Sequence, residues 1–341
     1  MQAARTFGIV AAVAVAGLVA ASVLWPRQEG VTIYCAADDV HAQPILDAAS
    51  AAGIAIREIK YDVEANKTVG LVATLRLEKA HPKCDVFWNN EPLHTMRLAD
   101  EGMFEPYESP QAADIPAQFK DAKGRWTGFG ARGRILIVNT DLVKPDEMPK
   151  SMDDLLDPKW KGRCALARPL AGTTMTQVAV LFGVLGKEKA LDWCKGLHAN
   201  GVVFPSGNGP VASAVAAGQL AWGFTDTDDF RKVEAAGKHV ARVYPDQESG
   251  KPGTLVLPNT VALIKGGPRT EAAKKLIDFI LRKETEAALA ASDGAHIPLR
   301  AAVARPAHVK GPPEFRAMQV DWSEVAGHYD ERMSQLEALW Q

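Results

Sequence analysis

The chain has little of several things. Among 341 residues there are four cysteines and five tyrosines, and 39 Lys and Arg are scattered among 41 Asp and Glu for a formal net charge of −2. Neutralising a phosphate backbone requires clustered cations, so this balance excludes a nucleic-acid partner. Cys35, Cys84, Cys164 and Cys194 have no CxxC spacing, which excludes the common zinc and redox motifs. Cys35 closes one predicted strand and Cys84 opens another. Parallel strands in step place those sulfurs at opposite ends, beyond the ~7 Å Cα limit for a bridge. The cysteines therefore read as small buried apolar residues, with a Cys164–Cys194 bridge as the exception. No GxSxG, HExxH, P-loop or dinucleotide fingerprint occurs, and His41, His81, His94 and His296 stand apart, so no enzyme is expected.

An uncharged, mostly apolar run stands at the start. A short basic opening, Met1 to Arg5, precedes Thr6 to Pro26, which holds Ala, Val, Leu and Gly and no charge. The pattern matches a secretory signal over residues 1–26 with small residues at Ala21, and its length also suits a membrane anchor. The expected location is periplasmic or extracytoplasmic, either secreted or anchored by this segment.

From residue 31 strands and helices alternate, the pattern of a parallel sheet covered by helices. Val31–Cys35, Ile54–Tyr61 and Asp85–Trp88 read as strands, with helices over Pro44–Ala52, Val63–Lys79 and Pro92–Gly102. Thr127–Asn139 is a long extended segment, glycine-rich and then β-branched. Further strands are expected at Cys164–Ala167, Ala221–Phe224 and Asn259–Ile264. Helices are expected at Thr174–Leu185, Asp192–Ala199, Pro210–Gly218, Glu271–Arg282 and Thr285–Ala291, with a helical tail from Pro313. The length is that of about two domains.

The order of motifs carries a resemblance. Asp85-Val-Phe-Trp-Asn-Asn90, Leu98-Ala-Asp-Glu-Gly-Met-Phe-Glu-Pro106, the segment Thr127–Thr140, Ser151-Met-Asp-Asp-Leu-Leu-Asp-Pro-Lys-Trp-Lys-Gly162 and Pro258-Asn-Thr-Val-Ala-Leu-Ile264 occur in sequence. Together they resemble the extracellular solute-binding proteins of the ferric-iron ABC transporter group. The resemblance implies an α/β, two-lobed periplasmic binding protein of type II with crossing hinge strands and a C-terminal helical tail. Applied here, lobe one covers 31–130 plus 260–305, lobe two covers 131–259, and the tail covers 306–341. Crossings fall near Ala131–Arg134 and Leu257–Thr260. It further implies a monomer that captures a small ligand by hinge closure and delivers it to ABC importer permease subunits. Ferric iron with a co-bound anion is the family's cargo. The iron-binding members carry adjacent tyrosines after the strand that corresponds to Ala221–Phe224; here the chain reads Thr225-Asp-Thr-Asp-Asp229. That departure leaves a small phosphorylated or zwitterionic organic solute as the alternative cargo, and a membrane-anchored sensor as the alternative class.

Several clusters are candidates for holding the ligand. Asp226, Asp228 and Asp229 repel one another unless a cation, an arginine or hydrogen-bond donors compensate, so Asp226 and Asp228 are candidate metal ligands, with Thr227 between them. The same acids are good helix caps. Asp38, Asp39 and His41 follow the first strand and offer oxygen and nitrogen donors. Asn89, Asn90 and Glu91 follow the third strand, either facing the same cleft or capping the next helix. Thr173 and Thr174 open a helix behind Gly172, and Asn208 opens another; free N–H groups at such starts bind anions. Arg132 and Arg134 point the same way along one strand, toward an anionic ligand or toward the Asp226–Asp229 cluster.

Overall fold

The computed structural model describes residues 29–61 and 67–340. The expected leader over 1–26 and the first residues of the helix expected from Val63 lie outside the described residues. Strand β1 (Val31–Cys35) leads through α1 (Asp39–Ala51) to β2 (Ile56–Tyr61), and α2 (Lys67–Leu77) leads to β3 (Val86–Asn89). Then come α3 (Pro92–Asp100), the short β4 (Phe104–Glu105) and the long β5 (Thr127–Asn139). Next are β6 (Cys164–Leu166), α4 (Gly172–Leu185), α5 (Lys187–Ala199), α6 (Asn208–Ala216), β7 (Trp222–Asp226), α7 (Thr227–Ala235) and β8 (Val240–Val243). The chain finishes with β9 (Val256–Ile264), α8 (Thr270–Ile280), α9 (Lys283–Ala291), α10 (Trp322–Gly327) and α11 (Tyr329–Leu339).

The strands run in the order β2-β1-β3-β9-β5-β7-β6, with β4 added beside β9 and β8 beside β5. Strand β5 changes partners midway. Its residues Thr127–Gly133 pair antiparallel with β9, whereas Arg134–Val138 pair with β7 and Leu136–Asn139 with β8. One strand thus belongs to two α/β halves. Side chains alternate across a strand, and both faces of β5 are buried. Phe129 and Ala131 join Val31, Ile33 and Trp88 in the first half. Leu136 and Val138 join Trp222 and Phe224, while Ile135 and Ile137 pack on the opposite face with Ala165 and Val211. A sheet covered on both faces needs continuous apolar strands, which is why Ile135–Val138 shows no polar alternation.

Three expectations change. Helix α1 begins at Asp39, with Pro44 inside it. Asp38 and Asp39 favour the positive end of the helix, and Pro44 removes only one backbone bond near that end. The tail is helical only from Trp322. Before that, Ala317 forms a bridge with Thr254 and Phe315 stacks on Tyr244 with ring centroids 4.2 Å apart, contacts that hold the segment out of a helix. All four cysteines are free and buried, so the Cys164–Cys194 bridge is absent. Burial pushes the Cys164 and Cys194 thiols up to about 12.

The tail packs across both halves. Val325, Met333 and Leu336 enter the core of the second. Tyr329 donates to the Met175 sulfur on α4 (3.1 Å), and its ring lies 3.8 Å under the Arg97 guanidinium of α3.

Candidate functional site

The turns after β1, β3 and β7 and the first residues of α1, α4, α6 and α7 converge where β5 passes between the halves. Two cavities of about 250 and 510 Å³ meet there and share Asp38, Asp228 and Asp229 as lining. The smaller is walled by Thr173, Thr174, Asn208, Arg132 and Asp226, the larger by Asp39, His41 and Tyr61. Crossing strands, turns at strand ends and helix N-termini around such a volume are the usual setting for a small-molecule site.

Arg134 anchors one side. Its Nη1 donates to Asp226 Oδ1 (2.7 Å) and to Asn208 Oδ1 (3.0 Å), and its Nη2 donates to Thr174 Oγ1 (3.2 Å). Asp226 Oδ2 accepts from Thr173 Oγ1 (2.7 Å) and Asn208 Nδ2 (3.1 Å). Burial opposes the charge on Asp226, but Arg134 and Arg132 outweigh it and hold the carboxyl below its usual range. A buried pair of this kind is strongly destabilised when one partner is removed, because the other charge is stranded. Both Asp226 oxygens are occupied, so a metal drawing on Asp226 must compete with Arg134.

Arg132 anchors the other side more loosely. Its Nη1 lies 3.4 Å from Asp228 Oδ2, and its Nη2 donates to the Asn90 carbonyl. Burial raises Asp228 above the usual carboxylate range; Arg132 opposes the shift and Asp226 adds to it. Asp229 is raised further, by burial and then by Asp228 and Asp226. Oxygens of Asp226, Asp228 and Asp229 all lie within 4.8 Å of one another. Among the described residues, no ion pair engages Asp229.

The other candidates divide. Asn90, Asp38, Asp39 and His41 line the cavities. Glu91 does not: it is fully buried and caps α3, accepting from Leu93 N, His94 N, His94 Nδ1, Asn89 Nδ2 and Thr176 Oγ1. Asn89 is equally enclosed, held by Thr68, Glu91 and Thr95. Thr227 turns to the backbone and accepts from Gly133 N. Arg134 reaches Asp226 rather than open space, and its guanidinium lies 4.6 Å over the Phe224 ring. For Glu91, Asn89 and Thr227 the cleft-facing expectation fails, because orphan N–H groups near a helix start or strand edge claim their oxygens first. Tyr61, Arg168 and Lys232 line the two cavities, and His296 a small pocket beside them, without having been singled out as ligand-binding. Only Tyr61, which ends a predicted strand as Cys35 does, carried a usable signal.

Relatives and structures agree on the architecture. A family model of bacterial extracellular solute-binding proteins matches residues 49–317. A Synechocystis protein named iron uptake protein A1 is 28% identical over 242 residues, 68% of this chain and 66% of its own length, just under two thirds. Iron-bound HitA from Pseudomonas aeruginosa superimposes with a TM-score of 0.83 at 23% identity, covering 92% of this chain and 99% of that one. AfuA from Actinobacillus pleuropneumoniae, a periplasmic binding protein solved with exogenous fructose-6-phosphate, gives 0.78 at 22% identity over 91% of this chain and 97% of its own. At those identities the two structures speak for the two-lobed fold. With a family match spanning most of its length, the chain belongs to the bacterial extracellular solute-binding proteins.

Proposed function

We propose that the protein is the solute-binding component of an ABC importer, acting outside the cytoplasmic membrane. It holds one small solute between lobe one (31–130 with 260–305) and lobe two (131–259). The cationic centre of the solute lies against Asp228 and Asp229, and its anionic part lies at the starts of α4 and α6. One observation carries this reading. Three carboxylates crowd within 4.8 Å, yet arginines partner only Asp226 and Asp228. Burial and like charge hold Asp229 well above its usual range, and an incoming cation reverses both penalties.

Ferric iron with a co-bound anion suits that site, since carboxylate oxygens are hard anionic ligands. They take the place of the tyrosines that the resemblance leads one to expect. A phosphorylated or zwitterionic organic solute is the second reading. It is supported by the opposite wall, where Gly172 (φ +60°), Thr173 and Thr174 open α4 and Asn208 opens α6 beside Arg168. Unpaired N–H groups at two helix starts and a nearby guanidinium suit a phosphate or carboxylate.

Thermal unfolding with ferric iron plus citrate, phosphate or carbonate, and separately with phosphorylated amines, tests the reading. A ligand held by the folded state alone adds about 2.7 kcal/mol at a hundredfold excess over its Kd. No upward shift and no coloured complex with ferric iron in any anion would sink the iron form. No shift with any member of either set would sink the proposed cargo.

A further inference from the structure

Three polar atoms at the floor of the cleft make no hydrogen bond with the protein: Asp228 Oδ1, Arg132 Nε and His296 Nδ1. Their residues are only 7%, 7% and 4% exposed. The three residues line a single pocket of about 10 Å³, the space of roughly one water molecule or one ligand heteroatom. This pocket shares Asp38, Asn90, Arg132 and Asp228 with the smaller of the two large cavities, so it is continuous with the cleft.

His296 is held in place. The ring of His41 packs edge-on against it, with centroids 5.5 Å apart and planes at 83°. The Gly294 backbone closes over the pair: a Cβ there would lie 2.9 Å from His296 Nδ1 and 2.9 Å from His41 Cε1. Burial, then Arg132 and His41, hold His296 well below the ordinary imidazole range, so the ring is neutral and offers one donor and one acceptor nitrogen.

The chemistry of the three groups is selective because it is mixed. Arg132 Nε–H only donates, and the unpartnered oxygen of an ionised Asp228 only accepts. A bare metal ion or an ammonium group has nothing to accept the Arg132 proton. A carboxylate or phosphate oxygen has nothing to donate to Asp228. An alcohol does both: its hydrogen goes to Asp228 Oδ1, and its two lone pairs accept from Arg132 Nε–H and from His296 in the Nδ1–H tautomer.

We infer that this floor pocket is a hydroxyl subsite, formed by Arg132, Asp228 and His296, which selects cargo bearing an alcohol group next to its anionic part. The inference rests on the cleft being the solute site and narrows its cargo. The hydroxyl has two possible sources, a polyol phosphate or a hydroxycarboxylate, in either case with the hydroxyl free of any metal.

Calorimetric titration of the full-length protein with two matched pairs of probes separates these sources. The pairs are glycerol 3-phosphate against propyl phosphate, and metal-free citrate against tricarballylate, which lacks the central hydroxyl of citrate. In at least one pair the hydroxylated member is expected to bind about tenfold tighter or more, since a site built to hydrogen-bond a hydroxyl rejects the analogue lacking it. The pair showing the difference identifies the source. His296→Leu is expected to bring the affinity ratio within that pair close to one. His296→Asn, which keeps a donor near the Nδ1 position, restores part of the difference. Equal affinities within both pairs overturn the subsite while leaving the cleft reading intact. A preference undiminished in His296→Leu also overturns it. Should that variant fail to fold, the wild-type pairs still decide. If none of the four probes binds, the subsite falls, while the thermal unfolding series with ferric iron and phosphorylated amines decides the cargo reading separately.

Discussion

Arg132 and Arg134 stand two residues apart on β5, yet the regions around them are built differently. Around Arg134, an aspartate, two threonines and an asparagine use both Nη atoms and both oxygens of Asp226. Only Arg134 Nε lacks a partner, and the guanidinium lies over Phe224. Around Arg132, the ion pair is long at 3.4 Å, Arg132 Nε and Asp228 Oδ1 are unpartnered, and Asp229 has no ion pair among the described residues. The closed network braces β5 against the end of β7 and the starts of α4 and α6. The open one keeps hydrogen-bonding capacity and negative charge for something that arrives. A binding protein needs both, because a cleft whose polar groups are all satisfied by one another has nothing left for a ligand.

The sharpest way to break this comparison is Arg134→Met. Stranding the buried Asp226 charge should cost about 3–5 kcal/mol in urea unfolding, with most of the loss recovered in Arg134→Met/Asp226→Leu. Arg132→Met should cost clearly less, because its partner is distant and titrates readily; equal losses would mean that the two regions do not differ. Next comes Glu91→Ala, expected to lower stability by about 1–3 kcal/mol by leaving the α3 start and its buried donors unpaired, with solute affinity unchanged. A selective loss of affinity would return Glu91 to the site.

Asp229→Asn sharpens the contrast from the other side. Asp229 is held above its usual range by burial and neighbouring acids, so the folded state binds its proton more tightly than the unfolded chain does. Ionising it therefore costs stability as pH rises past the ordinary carboxylate range. The variant should melt higher than wild type at neutral pH, and the gain should vanish as the pH falls below the ordinary carboxylate range, where Asp229 is protonated in the folded and unfolded chain alike. Its affinity for a cationic centre should drop about tenfold or more, equivalent to ~1.4 kcal/mol. Smallest is Lys187→Ala. It breaks an exposed 2.8 Å pair with Glu331 on the tail and should change the unfolding free energy by less than about 0.5 kcal/mol.

Much of the fold was legible where physics is local. Val31–Cys35 and Thr127–Asn139 were read with the bounds they have, because a continuous β-branched run buried on both faces leaves no other assignment. The start of α1 was misjudged by giving Pro44 more weight than the acids before it. Strand β8 was missed, since Val240–Val243 is short, half-buried and defined only by its pairing with β5. At the site, Asp228 and Asp229 stood out as crowded acids and Thr173 and Thr174 as a helix start. The sequence left open whether Arg132 and Arg134 would meet a ligand or the acids; the ion pairs choose the acids. His296 had no local signature; the pairing of Ile297 with Ala131 on β5 and the packing of Gly294 and His41 bring it under the cleft.

By itself the sequence determined the class of the protein: an alternating α/β chain, family motifs in order, and an acidic cluster where tyrosines were to be expected. Those features are written in runs of neighbouring residues, whose periodicity and charge act over a few ångströms. Tertiary structure alone decided which polar groups are spent and which remain. That depends on distances between residues far apart in the chain, such as Arg134 to Asp226 and Glu91 to Thr176, and on burial that no single segment can impose.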